Sequence, residues 1–333
     1  METKGGYFVI SLDFELMWGM FDKVTLDEYG EHLKGAHRAV PEILALFTEH
    51  NIHATWATVG MLMCKNKEEL LRTIPREALR PRYDNMDVSA YTHIESAHIG
   101  QNEKEDPYHF APSLVTEIVR TENQEFASHT FSHYYCIDGK DNQPAVFEAD
   151  LLLQQRMSEE YGVTPTSIIF PRNQTTDAAL QISKENNYTA YRGTEGHTMY
   201  QPRADDTQSL FIRGLRLLDA YFNISGHNTV SLKTVSQTSP ANIPSSRFLR
   251  PYSKRLRFLE RMRLHRIKRS MTHAAKHNEI FHLWWHPHNF GQNRQENMRN
   301  LQDLITHYEI LNETYGMQSK NMQEISTLAS NTN

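Results

Sequence analysis

The chain has 333 residues, of which 39% are hydrophobic, and its formal net charge is -5. This size and composition allow a substantial core, as one large α/β domain or two small ones, and the small negative charge argues against nucleic acid as a partner. The chain has only two cysteines, which excludes a disulfide framework and favours a reducing compartment.

Short apolar runs alternate with amphipathic stretches from the N-terminus to about residue 191. The pattern predicts strands over 7–12, 52–59, 125–128, 167–170 and 188–191. Between them it predicts helices over 36–50, 61–74, 113–120, 146–161 and 176–187. This alternation is typical of a parallel sheet covered by helices.

Two stretches interrupt the alternation. Residues 75–112 have no clear period and are predicted to be a functional loop or insertion. After residue 193 the pattern predicts an irregular stretch to 246, a helix over 211–222, a basic helix over 252–277, a strand over 280–285, a helix over 296–314 and a frayed tail over 326–333. We therefore expect one domain over 1–333 with insertions at about 75–112 and 193–278.

A pair of histidines four residues apart follows one predicted strand. His129 and His133 close the run EFASHTFSH, and two imidazoles with this spacing can reach one point, as a divalent metal ion requires. An isolated pair of this kind is often coincidental. The position directly after a strand favours the metal site, since parallel-sheet proteins hold their chemistry at strand ends.

The first predicted strand ends in two acids. Asp13 and Glu15 are separated by one residue, so both carboxylates can project into the same pocket. A hydrolytic metal centre needs one carboxylate as a ligand and often a second as the base. The alternative is that both acids are solvated loop residues.

Two further strand ends carry candidate groups. Arg172 follows the strand over 167–170 and could hold a carboxylate by a bidentate pair, although an ordinary structural ion pair is the alternative. His286 follows the strand over 280–285 and could donate a proton to a leaving amine. His282 and His288 compete with it for that role, because they lie on the same side of the strand by parity.

In order and composition, these fragments resemble the motifs of the NodB-homology polysaccharide deacetylases, carbohydrate esterase family 4. The resemblance runs from about Phe8 to Phe290, and the match of the segment 129–133 is the most specific. The first motif departs from the family pattern: Asp13 and Glu15, followed by Leu16, Met17 and Trp18, stand in place of the usual adjacent acid pair and its glycine.

The resemblance implies an α/β fold, a distorted (β/α) barrel of about seven strands with a metal at its mouth, and hydrolysis of an N-acetyl group on an amino sugar. It implies Asp13 as base, held by Arg172, with His286 as acid and Glu15, His129 and His133 as metal ligands. The opposite assignment, with Glu15 as base, stays open. The ligand types favour Zn²⁺. The residues expected to bind substrate are Trp18, Tyr134, Asn173, His288 and Asn289.

Two other functions stay open: a metal-independent amidohydrolase acting on a small amide, and a catalytically silent carbohydrate-binding protein. The expected partner is an amino-sugar saccharide or an activated sugar precursor. The basic segment Arg247–Arg269 is either a solvated helix face or a contact with anionic lipid. No signal peptide or membrane span is evident, so we expect a cytoplasmic protein with a peripheral position at the inner membrane face as one option.

Overall fold

The computed structural model describes residues 5–139, 143–201 and 210–331. Within these ranges, short strands alternate with helices along most of the chain. The strands are β1 Tyr7–Phe14, β2 Ala54–Thr58, β3 Gln124–Ser128, β4 Ser167–Ile168, β5 Ala190–Tyr191, β6 Val230–Ser231, β7 Ala241–Asn242, β8 Arg247–Phe248, β9 Glu279–Trp285 and β10 Gln318–Ser319. The helices are α1 Leu26–Glu49, α2 Lys67–Thr73, α3 Ala90–Ser96, α4 Pro112–Arg120, α5 Pro144–Glu159, α6 Asp177–Glu185, α7 Leu210–Asp219, α8 Leu232–Val235, α9 Glu260–His277, α10 Arg294–Tyr315 and α11 Met322–Ser330.

The strands form one curled sheet in the order β6-β9-β1-β2-β3-β4-β5-β7, with β10 beside β1 and β8 beside β9. All pairs are parallel except β6 with β9, which are antiparallel. The segment 241–248 closes the curl, because β7 at its start pairs with β5 and β8 at its end pairs with β9. The fold is thus the expected α/β distorted barrel.

The core lies between the sheet and its outer helices. All eight residues of β1 are buried, as a strand with neighbours on both sides and helices on its face requires. Helix α1 buries one apolar stripe, which includes Val40, Ile43 and Phe47.

Helix α1 begins ten residues earlier than the sequence pattern predicts. Thr25 caps it, accepting a hydrogen bond from the backbone N–H of Glu28, whose carboxylate returns to the N–H of Thr25. Two glycines in the first turns hide the apolar period. Gly35 is required by packing, since a Cβ there would lie 2.2 Å from the carbonyl oxygen of Gly291.

Four other predicted elements differ. In place of the helix predicted over 61–74, the structure has a 3₁₀ turn at Gly60–Met63 followed by α2. The basic helix predicted from residue 252 begins only at Glu260, because Lys254–Leu259 forms a 3₁₀ helix. The segment 75–112 contains α3. The tail predicted to fray forms α11 up to Ser330, because Ile325 and Ala329 pack into the core; residues 332 and 333 lie outside the described ranges. The single domain with two insertions stays a prediction.

None of the helices in the described part of the chain combines the length and apolar character that crossing a membrane requires.

Candidate active site

The carboxyl ends of β1, β3 and β9 carry the acidic and imidazole side chains of the candidate site. Asp13 is the penultimate residue of β1 and Glu15 follows that strand, while His129 and His286 directly follow β3 and β9. Because these strands are parallel and belong to one sheet, their carboxyl ends meet at one edge. His286 is partly exposed, whereas the other three are buried.

Glu15, His129 and His133 form what we call the Glu-His-His cluster. Oε2 of Glu15 lies 3.3 Å from Nε2 of His129 and 3.0 Å from Nε2 of His133. One ligand atom from each residue lies within 4.8 Å of the others, a spacing that would suit a metal ion. All three side chains are at least 95% buried.

The hydrogen-bond partners of His129 leave its Nε2 free to bind a cation. Nδ1 of His129 lies 2.7 Å from the carbonyl oxygen of Ile169, which can only accept, so Nδ1 carries the proton. In a neutral His129 the lone pair of Nε2 therefore faces a carboxylate oxygen of Glu15. Two electron-rich atoms at this distance repel each other, and either a bound metal ion or a second proton on His129 removes the conflict. The donor set, two imidazoles and one carboxylate, suits Zn²⁺ and related divalent ions.

The pKa shifts of Glu15 and His133 are consistent with a metal site. Burial acts to raise the pKa of Glu15, but His286, His129 and His133 hold it well below its usual value. Burial lowers the pKa of His133 against the opposing effect of Glu15. An ionised carboxylate and a neutral imidazole are the forms that bind metal.

The loop between the two histidines has an unusual backbone. Thr130 and His133 adopt positive φ angles of 63° and 55°, which is uncommon for non-glycine residues and a genuine outlier for the β-branched Thr130. Asp150 of α5 holds the loop by accepting from the backbone N–H groups of Phe131, at 2.7 Å, and Ser132, at 3.1 Å. Burial raises the pKa of Asp150 to about 6, against the effect of these hydrogen bonds. This buried carboxylate fixes the turn that points both imidazoles at Glu15.

Asp13 is held by Arg192, which sequence reasoning missed. The guanidinium of Arg192 donates to both carboxylate oxygens of Asp13, at 2.6 and 2.7 Å, and also to Ser11 and Asn173. Burial acts to raise the pKa of Asp13, but Arg192, with smaller contributions from His129 and His286, keeps this pKa below its usual value. The prediction that Arg172 holds Asp13 is therefore wrong.

Arg172 occupies a neighbouring position. It pairs with Asp22, lies 3.7 Å from Asp138, and stacks over the ring of Tyr135 at 4.1 Å. The hydroxyl of Tyr135 lies 3.0 Å from Nδ1 of His133. Arg172 thus supports a histidine of the cluster through Tyr135 rather than holding the aspartate.

The prediction chose Arg172 over Arg192 because Arg172 comes at the expected place in the order of motifs. Both arginines follow short strands, so position after a strand does not distinguish them. Arg192 comes directly after β5, at the same sheet edge as Arg172 after β4. A rule that considered every arginine at a strand end would have found it.

His286 borders both acids. Its Nε2 lies 3.4 Å from Oε1 of Glu15 and 3.9 Å from Oδ2 of Asp13. Its side chain is 22% exposed, so a substrate can reach it.

The two competing histidines are buried. His282 bonds to Ser11 and to the carbonyl oxygen of Ile243, and burial lowers its pKa to about 3. His288 stacks behind His286 at 5.0 Å, and burial lowers its pKa to about 3 as well. His288 could still join Glu15 and His286 as a second group of possible metal ligands. It does not face solvent, which corrects its expected role in binding substrate.

Two other residues expected to bind substrate are in the core. The indole N–H of Trp18 donates to the carbonyl oxygen of His109 at 2.8 Å, and the side chain is fully buried. Tyr134 packs against Phe147 with ring centroids 5.2 Å apart and is 5% exposed. The prediction that they contact substrate is wrong, because distant contacts that local sequence does not reveal bury both.

The two asparagines lie at the rim of the site. Asn173 accepts from Arg192 at 3.0 Å and lines a neighbouring cavity. Asn289 accepts from the backbone N–H of His286 at 3.4 Å. Each asparagine thus holds a neighbour of the candidate site, Arg192 or His286, and Asn173 also faces the cavity.

A cavity of about 350 Å³, which we call the side pocket, opens beside His286. Its wall combines aromatic rings with charged groups: Arg172, Asn173, Thr194, Glu195, Tyr200, Gln201, Arg216, Ala220, Arg247, Phe248, Arg250, Trp284 and His286. The side pocket therefore borders the Glu-His-His cluster through His286.

Comparison with known proteins identifies the family. Residues 17–191, more than half of the chain, match the family model described as polysaccharide deacetylase. The chain belongs to the polysaccharide deacetylase family. No curated protein matches the sequence at a significant level.

Solved structures of candidate polysaccharide deacetylases share the fold. One from Mycobacterium smegmatis is 14% identical, with a TM-score of 0.59, and the match covers 98% of this chain and 92% of that one. Another, from Pseudomonas aeruginosa PAO1, is 11% identical, with a TM-score of 0.53, and the match covers 96% and 89%. At these identities, the likeness supports the deacetylase fold and nothing finer.

Proposed function

We propose that this polysaccharide deacetylase family member is a metal-dependent hydrolase. It would remove an N-acyl group, most simply N-acetyl, from an amino sugar in a cell-surface glycan or in its nucleotide- or lipid-linked precursor. The observation that carries the proposal is the Glu-His-His cluster, with Asp13 and His286 at its border.

Glu15, His129 and His133 would hold the ion, with Zn²⁺ favoured by ligand type. A divalent ion bound there supplies a Lewis acid that polarises the acyl carbonyl and makes water more acidic. The unfavourable contact between Glu15 and the lone pair of His129 supports this assignment.

Asp13 would act as the base. Its bidentate pair with Arg192 keeps the carboxylate ionised and fixes its orientation, so it can take a proton from the attacking water. The water oxygen then bonds to the acyl carbon. His286 gives a proton to the nitrogen as the carbon–nitrogen bond breaks, which releases a free amine and a carboxylic acid.

Release of acid and amine from a panel of N-acyl sugars tests this function. The purified protein should release acetate or formate in equal amount with a new primary amine, and Asp13→Asn should not. Turnover that survives complete removal of metal would instead support an amidohydrolase that needs no ion. No release from any sugar in the panel would contradict the hydrolase.

We also propose that the enzyme works in the cytoplasm, against the anionic inner face of a membrane. Not all of the basic segment is available, because Arg247, Arg263 and Arg266 are buried in internal ion pairs and hydrogen bonds. The exposed part includes Arg255, Arg257 and Arg261. Phe258 beside them is 72% exposed, and this mixture of cations and an aromatic ring suits a lipid headgroup region.

A further inference from the structure

The side pocket beside His286 has a strongly cationic wall. It contains the guanidinium groups of Arg172, Arg216, Arg247 and Arg250, and one carboxyl group, that of Glu195. Four like charges around one cavity raise its electrostatic potential and attract an anion.

Three of the four arginines already have partners. Arg172 pairs with Asp22, Arg216 donates to the carbonyl oxygen of Met199 at 2.7 Å, and Arg247 pairs with the buried Asp219. These contacts fix the positions of the three arginines. The carbonyl oxygen that Arg216 binds carries no net charge, unlike the carboxylates of Asp22 and Asp219.

Arg250 is different. Among the residues that the structure describes, none forms a hydrogen bond or an ion pair with its guanidinium, although the side chain is partly buried. Burial lowers the pKa of Arg250, with smaller contributions from Arg263 and Arg216, against the opposing effect of Tyr200 and Tyr221. A partly buried guanidinium with five donors and no acceptor is suited to bind an anionic group that enters the pocket.

Glu195 does not supply that anion. The indole N–H of Trp284 lies 3.5 Å from its carboxylate, and burial raises the pKa of Glu195, which favours the neutral form more than in an exposed glutamate.

The pocket also lies at the right place for a sugar. Trp284 and Phe248 pack together with ring centroids 4.7 Å apart, and both line the pocket next to His286. His286, both rings and Arg250 line the same cavity, so one sugar with its acyl group at His286 can contact them together.

We propose that the substrate carries an anionic group, which Arg250 binds in the side pocket. This inference rests on the proposed deacylase function and specifies its substrate class. The anion would be either a phosphate that links the sugar to a carrier or a carboxylate on the sugar itself. Both are recognised by a guanidinium through the same charge-assisted hydrogen bonds.

Calorimetric binding in the metal-free His129→Ala background tests the pocket without turnover and without chelation by the ion. The probes are UDP-N-acetylglucosamine, 2-acetamido-2-deoxyglucuronate and neutral N-acetylglucosamine. Arg250→Gln should weaken binding of at least one anionic probe about tenfold and leave the neutral sugar unchanged. Arg38→Gln, which removes an exposed arginine of α1, is the matched control and should change nothing.

The identity of the preferred probe distinguishes phosphate from carboxylate. Equal binding of the anionic probes by the Arg250→Gln and parent proteins would overturn the proposal, as would no measurable binding of either one to the parent. Loss of anion binding in Arg250→Gln, together with no hydrolysis of any N-acyl sugar by wild type, would keep the anion pocket and reject the deacylase. Hydrolysis with no preference for acidic substrates would keep the deacylase and reject the anion pocket.

Discussion

At the scale of single residues, the pair of Asp13 and Arg192 controls the proposed base. Both side chains are almost fully buried, and two short hydrogen bonds join them. Breaking such a pair by removing one partner leaves a buried charge uncompensated, which lowers the free energy of unfolding by about 3–5 kcal/mol.

Arg192→Gln should therefore change the pH dependence of catalysis. Arg192 acts to lower the pKa of Asp13, so its removal should raise that pKa. The base is then protonated at higher pH, and the acidic limb of kcat/KM moves upward. Arg172→Gln is the comparison variant, because Arg172 pairs with Asp22 rather than with Asp13. An unshifted limb in a folded Arg192→Gln protein would contradict the role of Arg192.

Loss of His286 should lower turnover without affecting metal binding. His286→Ala should retain the metal that Glu15, His129 and His133 bind, yet lower kcat by about 10²- to 10⁴-fold through loss of the general acid. Metal analysis and steady-state kinetics on the same preparation check both parts. Loss of the metal would assign His286 to the ligand set with Glu15 and His288, the alternative group that the geometry permits.

At the scale of elements, the turn after β3 depends on α5. Asp150 accepts the backbone N–H groups of Phe131 and Ser132, and this holds the two positive φ angles of the turn in place. The imidazoles are thus positioned by a residue seventeen places beyond the second histidine.

Asp150→Ala should weaken metal binding although Asp150 is not a ligand. Loss of an outer support typically lowers metal affinity about 10- to 100-fold, which competition with a chelator can measure. Glu148→Ala, which removes an exposed acid from the same helix, should leave the affinity unchanged. Equal metal affinities in the two variants would show that the turn between His129 and His133 keeps its conformation without Asp150.

The elements nearest the site were the most predictable. Period-two and period-3.6 apolar patterns located β1, β3, β9 and most of their helices, and the strand ends located Asp13, Glu15, His129 and His286. The first ten residues of α1 and the whole of α11 were missed. Glycines obscure the start of α1, and α11 is stabilised by tertiary packing that local periodicity does not encode.

At the scale of the whole molecule, the errors concern contacts between distant segments. Sequence reasoning could not choose between Arg172 and Arg192, since both follow strands of the same edge and only the curl of the sheet brings Arg192 to Asp13. The substrate-binding role predicted for Trp18 was wrong for the same reason, because its indole N–H donates to the carbonyl oxygen of a residue 91 positions later in the chain.

The exposed basic surface gives a prediction for the intact molecule. Replacing Arg255, Arg257 and Arg261 by glutamine should weaken binding to phosphatidylserine vesicles by about a hundredfold at low salt, at about 1 kcal/mol per charge. A triple variant of the exposed Arg38, Arg76 and Arg120 removes the same charge elsewhere and should bind as wild type does. Equal, salt-independent binding by all three proteins would reject the lipid contact.

Metal content tests the central claim most directly. The purified wild-type protein, saturated with Zn²⁺ and freed of excess by gel filtration, should retain one equivalent by mass spectrometry, and folded His129→Ala should retain none. His227→Ala, which changes a histidine outside the Glu-His-His cluster, should behave as wild type. A full equivalent in His129→Ala, or none in wild type, would contradict the proposed metal site.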